Sequence, residues 1–114
     1  MIVLRLSFET INQNLIVLFD GELDHHTSQE IRIEIDNEID KNNCKNIIFD
    51  LSGMNFMDSS GIGVVIGRYK KVNELGGQAA VVNLSGRVEK IFRMSGLFNI
   101  VKHFENKQQA IERL

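Results

Sequence analysis

Residues 46–76 constrain the fold more than any other stretch, because they predict a strand, a loop and a helix in succession. The strand is the apolar run 46–50, and the helix is predicted from about residue 60 to residue 75, where Gly76 and Gly77 end it. The apolar residues of this helix have the spacing of one helical face: Ile62, Val65, Ile66, Tyr69 and Val72. Alternating strands and helices build parallel sheets through right-handed crossovers.

The rest of the chain continues this alternation, so that the predicted order of elements is β-β-α-β-α-β-α-β-α. The chain opens with an antiparallel hairpin, and every later strand is followed by a helix. The predicted strands are residues 2–9, 15–20, 46–50, 78–84 and 100–104. The predicted helices are 27–42, 60–75, one capped by Ser85 and ended at Gly96, and a short last one capped by Asn106. We therefore predict one α/β domain over residues 1–114, with a mixed, mostly parallel sheet packed against helices.

The helix at 27–42 is predicted from its first residues. After a polar loop at 21–26, Thr27 and Glu30 have the spacing of a capping box, which satisfies two free backbone donors at a helix start. Ile31, Ile33 and Ile35 also alternate as in a strand, but the polar residues between them suit strands poorly. On the helical interpretation Ile33 faces solvent.

The composition is that of an ordinary globular domain, and its charge does not favour a strongly acidic or strongly basic partner. The chain of 114 residues is 43% hydrophobic and 25% charged, with a formal net charge of −2, so we expect no nucleic acid or membrane partner. Cys44 is the only cysteine, which excludes a disulfide and a cysteine-based metal site. The first residues lack a signal-peptide pattern, and no apolar run approaches the ~20 residues of a membrane-spanning helix. We expect a cytoplasmic protein.

Two serines, Ser59 and Ser60, stand where the loop after the central strand becomes a helix. Backbone N–H groups at a helix start lack helical partners and the helix dipole is positive there, so an added anion is stabilised. No complete set of acid, base or metal ligand accompanies these serines. We therefore expect a serine that is modified, and we assign no catalytic residue.

Two other patterns could indicate a nucleotide-binding or catalytic role in place of a modified serine. Gly61, Gly63 and Gly67 resemble a loose dinucleotide fingerprint, although about seven residues separate them from the strand and the next strand ends without an acidic residue. His25 and His26 follow Asp24, but adjacent histidines point in different directions and no fourth zinc ligand is evident. A small nucleotide-binding or hydrolytic domain stays open as the alternative, while no metal or cofactor is expected.

A possible docking face lies on the same helix. Gly63 and Gly67 are four residues apart and share one side of the helix with Ser60 and Val64. We expect this face to be flat, with Val64 exposed, and we expect Arg68 to lie on a solvated side that could meet an acidic partner. The glycines either let a partner's backbone approach or pack against another element of the domain.

The loop that carries Asp24 follows one predicted strand, and the loop that carries Ser59 follows another. Because the carboxyl ends of parallel strands meet at one edge of a sheet, we expect these two loops to be neighbours.

Three motifs give the chain a family resemblance: Gly21-Glu22-Leu23-Asp24-His25-His26-Thr27, residues 56–70 with Asp58-Ser59-Ser60-Gly61 at their centre, and Met94-Ser95-Gly96-Leu97-Phe98. Together they resemble the anti-sigma factor antagonists built on the STAS domain, most of all the sporulation branch that controls sigma factor F. The resemblance covers essentially the whole chain.

The resemblance implies a binding protein that is not an enzyme. In that family the unphosphorylated antagonist binds an anti-sigma factor that is also a serine kinase, and so frees the sigma factor. The kinase phosphorylates the antagonist with ATP, the complex dissociates, and a serine phosphatase restores the antagonist. The phosphorylated position corresponds to Ser59, and Asp24 matches a position near the kinase contact.

From the motifs and the helix faces together, the expected partner-binding residues are Asp24, Asp58, Ser59, Ser60, Gly63, Val64, Gly67 and Arg68. We expect a monomer when the protein is free. A STAS module that regulates a transporter or a stress complex is the third possibility.

Overall fold

A computed structural model describes residues 4–114, and its strands form one mixed sheet in the order β1-β2-β3-β4-β5. The strands are β1 Arg5–Ile11, β2 Asn14–Asp20, β3 Asn46–Gly53, β4 Ala79–Val82 and β5 Lys102–Phe104. The first pair is antiparallel and the other pairs are parallel, as predicted. The predicted start of the first strand, at residue 2, lies outside the described residues.

The helices follow the strands in the predicted order. They are α1 His25–Lys41, α2 Ser59–Glu74, α3 Gly86–Ser95 and α4 Lys107–Arg113, and a 3₁₀ turn at Leu97–Asn99 was not predicted. Ser85 and Asn106 cap α3 and α4 as predicted, and Gly96 ends α3 with a left-handed φ of 78°. None of the helices in residues 4–114 has the length and apolar character needed to cross a bilayer.

The lengths of the strands differ from prediction because pairing decides where they end. Central strand β3 continues to Gly53, where it still pairs with Asp20 of β2. Edge strand β5 pairs with β4 over only Lys102–Phe104, so residues 100 and 101 fall outside it.

The sheet separates two apolar clusters, as alternation along the strands requires. Leu15, Val17 and Phe19 of β2 point to the larger cluster, which also contains buried residues of α1, α2 and α3. Ile16 of the same strand points to the smaller one, where Ala110 of α4 is buried. The larger cluster holds α1 and α2 against one face of the sheet, and their starts carry the candidate site.

Helix α1 buries Ile31, Ile35 and Ile39, whereas Ile33 is 54% exposed, which confirms the helical interpretation. The capping box at Thr27 is wrong, however. The helix begins at His25 and its cap is Asp24, whose carboxylate accepts from the N–H groups of His26 and Thr27, so Thr27 lies inside the first turn.

The inner face of α2 was predicted only in part: Val65 and Val72 are buried as expected, but the centre of the buried face is shifted. The buried residues of α2 are Gly61, Val64, Val65, Arg68 and Val72. Ile62, Ile66 and Tyr69 are only partly buried against the core. The predictions that Val64 is exposed and that Arg68 is solvated are both wrong, since they are 0% and 8% exposed. The reason is that α2 packs on α1 as well as on the sheet, so its buried face is rotated toward α1.

Candidate functional site

The loops that lead into α1 and α2 are joined by one backbone contact. Leu23 and Met57 form an isolated parallel β-bridge, and both side chains are buried, at 4% and 3% exposed. Asp24 and Asp58 each follow their bridge residue directly. The bridge therefore confirms that the two loops are neighbours and places the two helix starts side by side.

Asp58 caps α2. Its Oδ1 accepts hydrogen bonds from the N–H groups of Ser60 at 2.9 Å and Gly61 at 3.3 Å. The helix begins at Ser59, one residue earlier than predicted. Two of the N–H groups expected to be free for an anion are thus already paired with a carboxylate, so an anion added to Ser59 must sit beside Asp58.

Asp24 caps α1 with the same geometry. Its Oδ1 accepts from the N–H groups of His26 at 2.9 Å and Thr27 at 3.1 Å, and the Thr27 hydroxyl lies 3.3 Å away. The hydrogen bond from the Thr27 N–H, above all, lowers the pKa of Asp24 below its ordinary value, because it stabilises the ionised carboxylate. Asp24 therefore presents an ionised, exposed carboxylate beside the start of α2.

Ser59 is the first residue of α2 and its side chain is exposed, whereas Ser60 is half-buried. The start of α2 is tightly packed against the bridge and Ser59 is nevertheless exposed, because residue 61 is a glycine. A Cβ at Gly61 would collide with Cγ of Met57 and lie 3.4 Å from Cδ2 of Leu23. Glycine at this position lets α2 begin directly over the Leu23–Met57 bridge.

The predicted docking face of α2 is divided in the structure. No heavy atom outside the helix lies within 4 Å of where a Cβ of Gly67 would be, so this part of the surface is bare. At Gly63 the corresponding position is 3.1 Å from Nη2 of Arg32 on α1. Val64 and Arg68 turn toward α1 and the core, so their side chains are not available to a partner in this conformation.

Ion pairs set the register of α1 against α2. Arg68 Nε lies 2.8 Å from Asp36 Oδ1, and Lys71 Nζ lies 3.0 Å from Asp40 Oδ1. Desolvation lowers the pKa of Arg68, and the charge of Asp36 opposes this effect. These contacts hold the helices in a fixed alignment and so help to position their starts.

The two histidines at the start of α1 are exposed, and their ring centroids are 4.0 Å apart. Across residues 4–114, no group of three or more histidine, cysteine, aspartate or glutamate side chains could hold a metal ion.

The Leu23–Met57 bridge was not predicted, although the sequence carries a signal for it. Leu23-Asp24 and Met57-Asp58 are the same pair of residue types, an apolar residue followed by aspartate, and each stands directly before a helix. Two such pairs after neighbouring strands indicate paired helix caps.

Comparison with known proteins identifies the family and the fold. Residues 5–110 match the STAS domain. The chain belongs to the STAS domain family. It is 41% identical over 111 residues to an anti-sigma F factor antagonist of Paenibacillus polymyxa, a match that covers 97% of this chain and 95% of that protein.

Two solved structures of SpoIIAA share the fold. The anti-sigma factor antagonist SpoIIAA in its unphosphorylated form matches with a TM-score of 0.82 at 32% identity, over 96% of this chain and 95% of that one. The phosphorylated form of the Bacillus cell fate determinant SpoIIAA matches with a TM-score of 0.74 at 31% identity, over 96% and 98%. The predicted STAS-like α/β fold is therefore confirmed.

Proposed function

We propose that this chain is an anti-sigma factor antagonist that is switched by phosphorylation of Ser59. The unphosphorylated protein binds an anti-sigma factor that is also a serine kinase, and thereby frees the sporulation sigma factor F in the cytoplasm. The kinase transfers phosphate from ATP to Ser59, the complex dissociates, and a serine phosphatase reverses the modification. The likeness to the Paenibacillus polymyxa antagonist and to both forms of SpoIIAA supports this proposal.

The assignment to Ser59 rests on one observation. Ser59 is exposed at the first position of α2, directly after its cap Asp58, and the aspartate-capped start of α1 lies beside it. A kinase must reach the hydroxyl of its substrate serine, and this one is presented at the edge of the sheet where binding surfaces form. We assign the partner contact to Asp24, Asp58, Ser59 and Ser60, extended along α2 by the exposed backbone near Gly63 and Gly67.

The switch follows from charge. A phosphoserine adds about −1.5 to −2 charges and three acceptor oxygens at pH 7. At a docked interface this anion must lose water next to Asp58 and Asp24, and like charges brought together at an interface cost several kcal/mol. Each ~1.4 kcal/mol is a tenfold change in affinity, so release needs no refolding. The likeness of this fold to both forms of SpoIIAA is consistent with that mechanism.

The first experiment incubates the full chain with its anti-sigma factor and ATP and measures intact mass. We expect one added phosphate, which Ser59→Ala abolishes and the neighbouring variant Ser60→Ala leaves in place. Peptide mapping that found the phosphate on Ser60 would overturn the site. Phosphate or label that appeared without the kinase would instead favour the nucleotide-binding alternative.

The second experiment measures affinity for the anti-sigma factor. Ser59→Ala should bind as the unmodified protein does, and Ser59→Asp should bind at least about a hundredfold more weakly, because a charge is placed at the contact. Ser59→Asn is the matched control, since it has nearly the size of aspartate without its charge. Equal weakening by asparagine and aspartate would show that size, not charge, governs release.

The free unphosphorylated and phosphorylated chains should share one backbone structure. Amide spectra of the two free forms are expected to differ only near residues 58–63 and on the part of α1 that faces them. Widespread shifts in the sheet would contradict release by exclusion and would indicate a conformational change.

A further inference from the structure

Arg32 lies across the surface of α2 at Gly63. Its Nη2 is 3.1 Å from the point that a Cβ of Gly63 would occupy, so the missing side chain makes room for the guanidinium. Arg32 is exposed, and it takes no part in the ion pairs found among residues 4–114. It is therefore a cation at the helix interface without a carboxylate partner in the described chain.

The ion pairs between α1 and α2 do not include Arg32. Asp36, one turn further along α1, lies 2.8 Å from Arg68, and Asp40 pairs with Lys71. Desolvation is the main cause of the lowered pKa of Arg68, and the nearby positive charge of Arg32 lowers it further. Asp36 is thus paired with Arg68, and an anion placed beside Arg32 would give this guanidinium a partner of its own.

Ser59 lies one helical turn before Gly63. Residues four apart on a helix have Cβ atoms about 5–6 Å apart, and Arg32 Nη2 is close to the Cβ position of Gly63, so this nitrogen is within about 9 Å of Ser59 Cβ. A phosphate extends from Ser59 toward solvent, and the Arg32 side chain is long and exposed. Because Gly63 has no side chain, rotation of the Arg32 side chain toward Ser59 would not be blocked at this position.

We propose that Arg32 is the internal counter-ion of phosphorylated Ser59. This inference rests on the proposed modification of Ser59. The planar guanidinium donates two parallel hydrogen bonds to phosphate oxygens, the geometry in which arginine binds phosphate best. The phosphate is then held at the start of α2, within the surface proposed to contact the partner. In the unmodified protein, Arg32 stays free above Gly63.

The test measures the second pKa of the phosphate by phosphorus-31 NMR titration. Phosphoserine is installed at position 59 of the full chain during synthesis, so the measurement does not depend on a kinase. A cation near a phosphate favours the dianion, so Arg32→Gln should raise this pKa by about half a pH unit for a solvent-exposed pair. Arg32→Lys retains the charge and should restore most of the difference.

Lys41→Gln is the control, because it removes the same charge from the far end of α1. The other titratable groups at the two helix starts, His25, His26, Asp24 and Asp58, are unchanged in every variant and cancel in the comparison. The control should leave the pKa where it is in the parent protein.

An unchanged phosphate pKa in Arg32→Gln would overturn the inference, and so would an equal rise in Lys41→Gln, since the effect would then be one of net charge. Failure of the kinase to modify Ser59 would refute the proposed function while leaving this titration interpretable. A clear rise in Arg32→Gln alone would establish the counter-ion whatever enzyme adds the phosphate.

Discussion

Helices α1 and α2 begin with the same cap but with different residues after it. In each, an aspartate that follows a bridged apolar residue accepts hydrogen bonds from two backbone N–H groups. Helix α1 continues with two bulky imidazoles and a threonine, whereas α2 continues with Ser59, Ser60 and Gly61.

The same aspartate cap therefore has a different role at the start of each helix. At α1 the Thr27 hydroxyl reaches back to Asp24 at 3.3 Å and adds to the cap. At α2 the equivalent position is Gly61, which has no side chain and instead packs directly against the bridge. The start of α2 therefore keeps a small, exposed hydroxyl on a rigid base, and the start of α1 supplies a fixed neighbouring carboxylate.

The largest expected effect comes from giving α2 the residue that α1 has. Gly61→Thr places a Cβ against Met57 and Leu23, both of them buried, and overpacking of this kind costs about 1–3 kcal/mol. The free energy of unfolding from urea denaturation measures the loss. Gly67→Ala is the matched control, since its Cβ meets open space; it should stabilise by about 0.5–1 kcal/mol. A Gly61→Thr protein as stable as the parent would show that the bridge tolerates a side chain.

Removing the cap of α2 should have the next largest effect. Asp58→Ala leaves the N–H groups of Ser60 and Gly61 without their acceptor, which costs about 1 kcal/mol. Asp58→Asn keeps a capping oxygen and should lose far less. Equal losses in the two variants, measured by denaturation, would mean that the charge and not the hydrogen bonds stabilises the helix start.

Giving α1 the glycine that α2 has at the equivalent position should lower the stability less. Thr27→Gly removes the hydroxyl contact to Asp24 and puts glycine in the first turn of a helix, at a cost of about 0.5–1 kcal/mol. Thr27→Ser keeps the hydroxyl and separates the two contributions. An equal loss of stability for Thr27→Gly and Gly61→Thr in the same denaturation assay would contradict the proposed difference between the two helix starts.

The smallest effect is a dependence on pH at Asp24. The folded-state pKa of Asp24 is depressed, so its ionised form contributes stability above the unfolded-state pKa and loses it as pH falls through the folded pKa. The melting temperature of Asp24→Asn should thus lie below that of the parent at neutral pH, and the gap should begin to close below about pH 4. A gap that persisted at the lowest pH where both proteins fold would show that the charge of Asp24 is irrelevant.

Local sequence patterns were sufficient for the order of elements but not for the faces of α2. A period of 3.6 residues identifies a helix, yet α2 is buried on two sides, by the sheet and by α1. A polar residue such as Arg68 can lie inside when Asp36 on another helix meets its charge, and no spacing within α2 reveals that partner. The errors at Val64 and Arg68 arise from this tertiary contact.

The helix caps also could not all be predicted from local sequence patterns. Thr27 and Glu30 match a capping box, but Asp24, three residues before Thr27, captures the N–H groups first, and only the three-dimensional start of the helix decides between them. Ser85 and Asn106, by contrast, were predicted correctly as caps, and their side chains accept from the N–H groups of Val88 and Gln109. The proximity of the Asp24 and Ser59 loops could be predicted because parallel topology alone brings them together.

The bridge between Leu23 and Met57 also has a consequence for the order of events during folding. It joins residues that are far apart in the chain, and contacts of this kind close late because the intervening segment must first be ordered. The two aspartates are thus brought together only once β2, α1 and β3 are in place. A nascent or partly folded chain therefore lacks the composite surface on which the proposed partner contact depends.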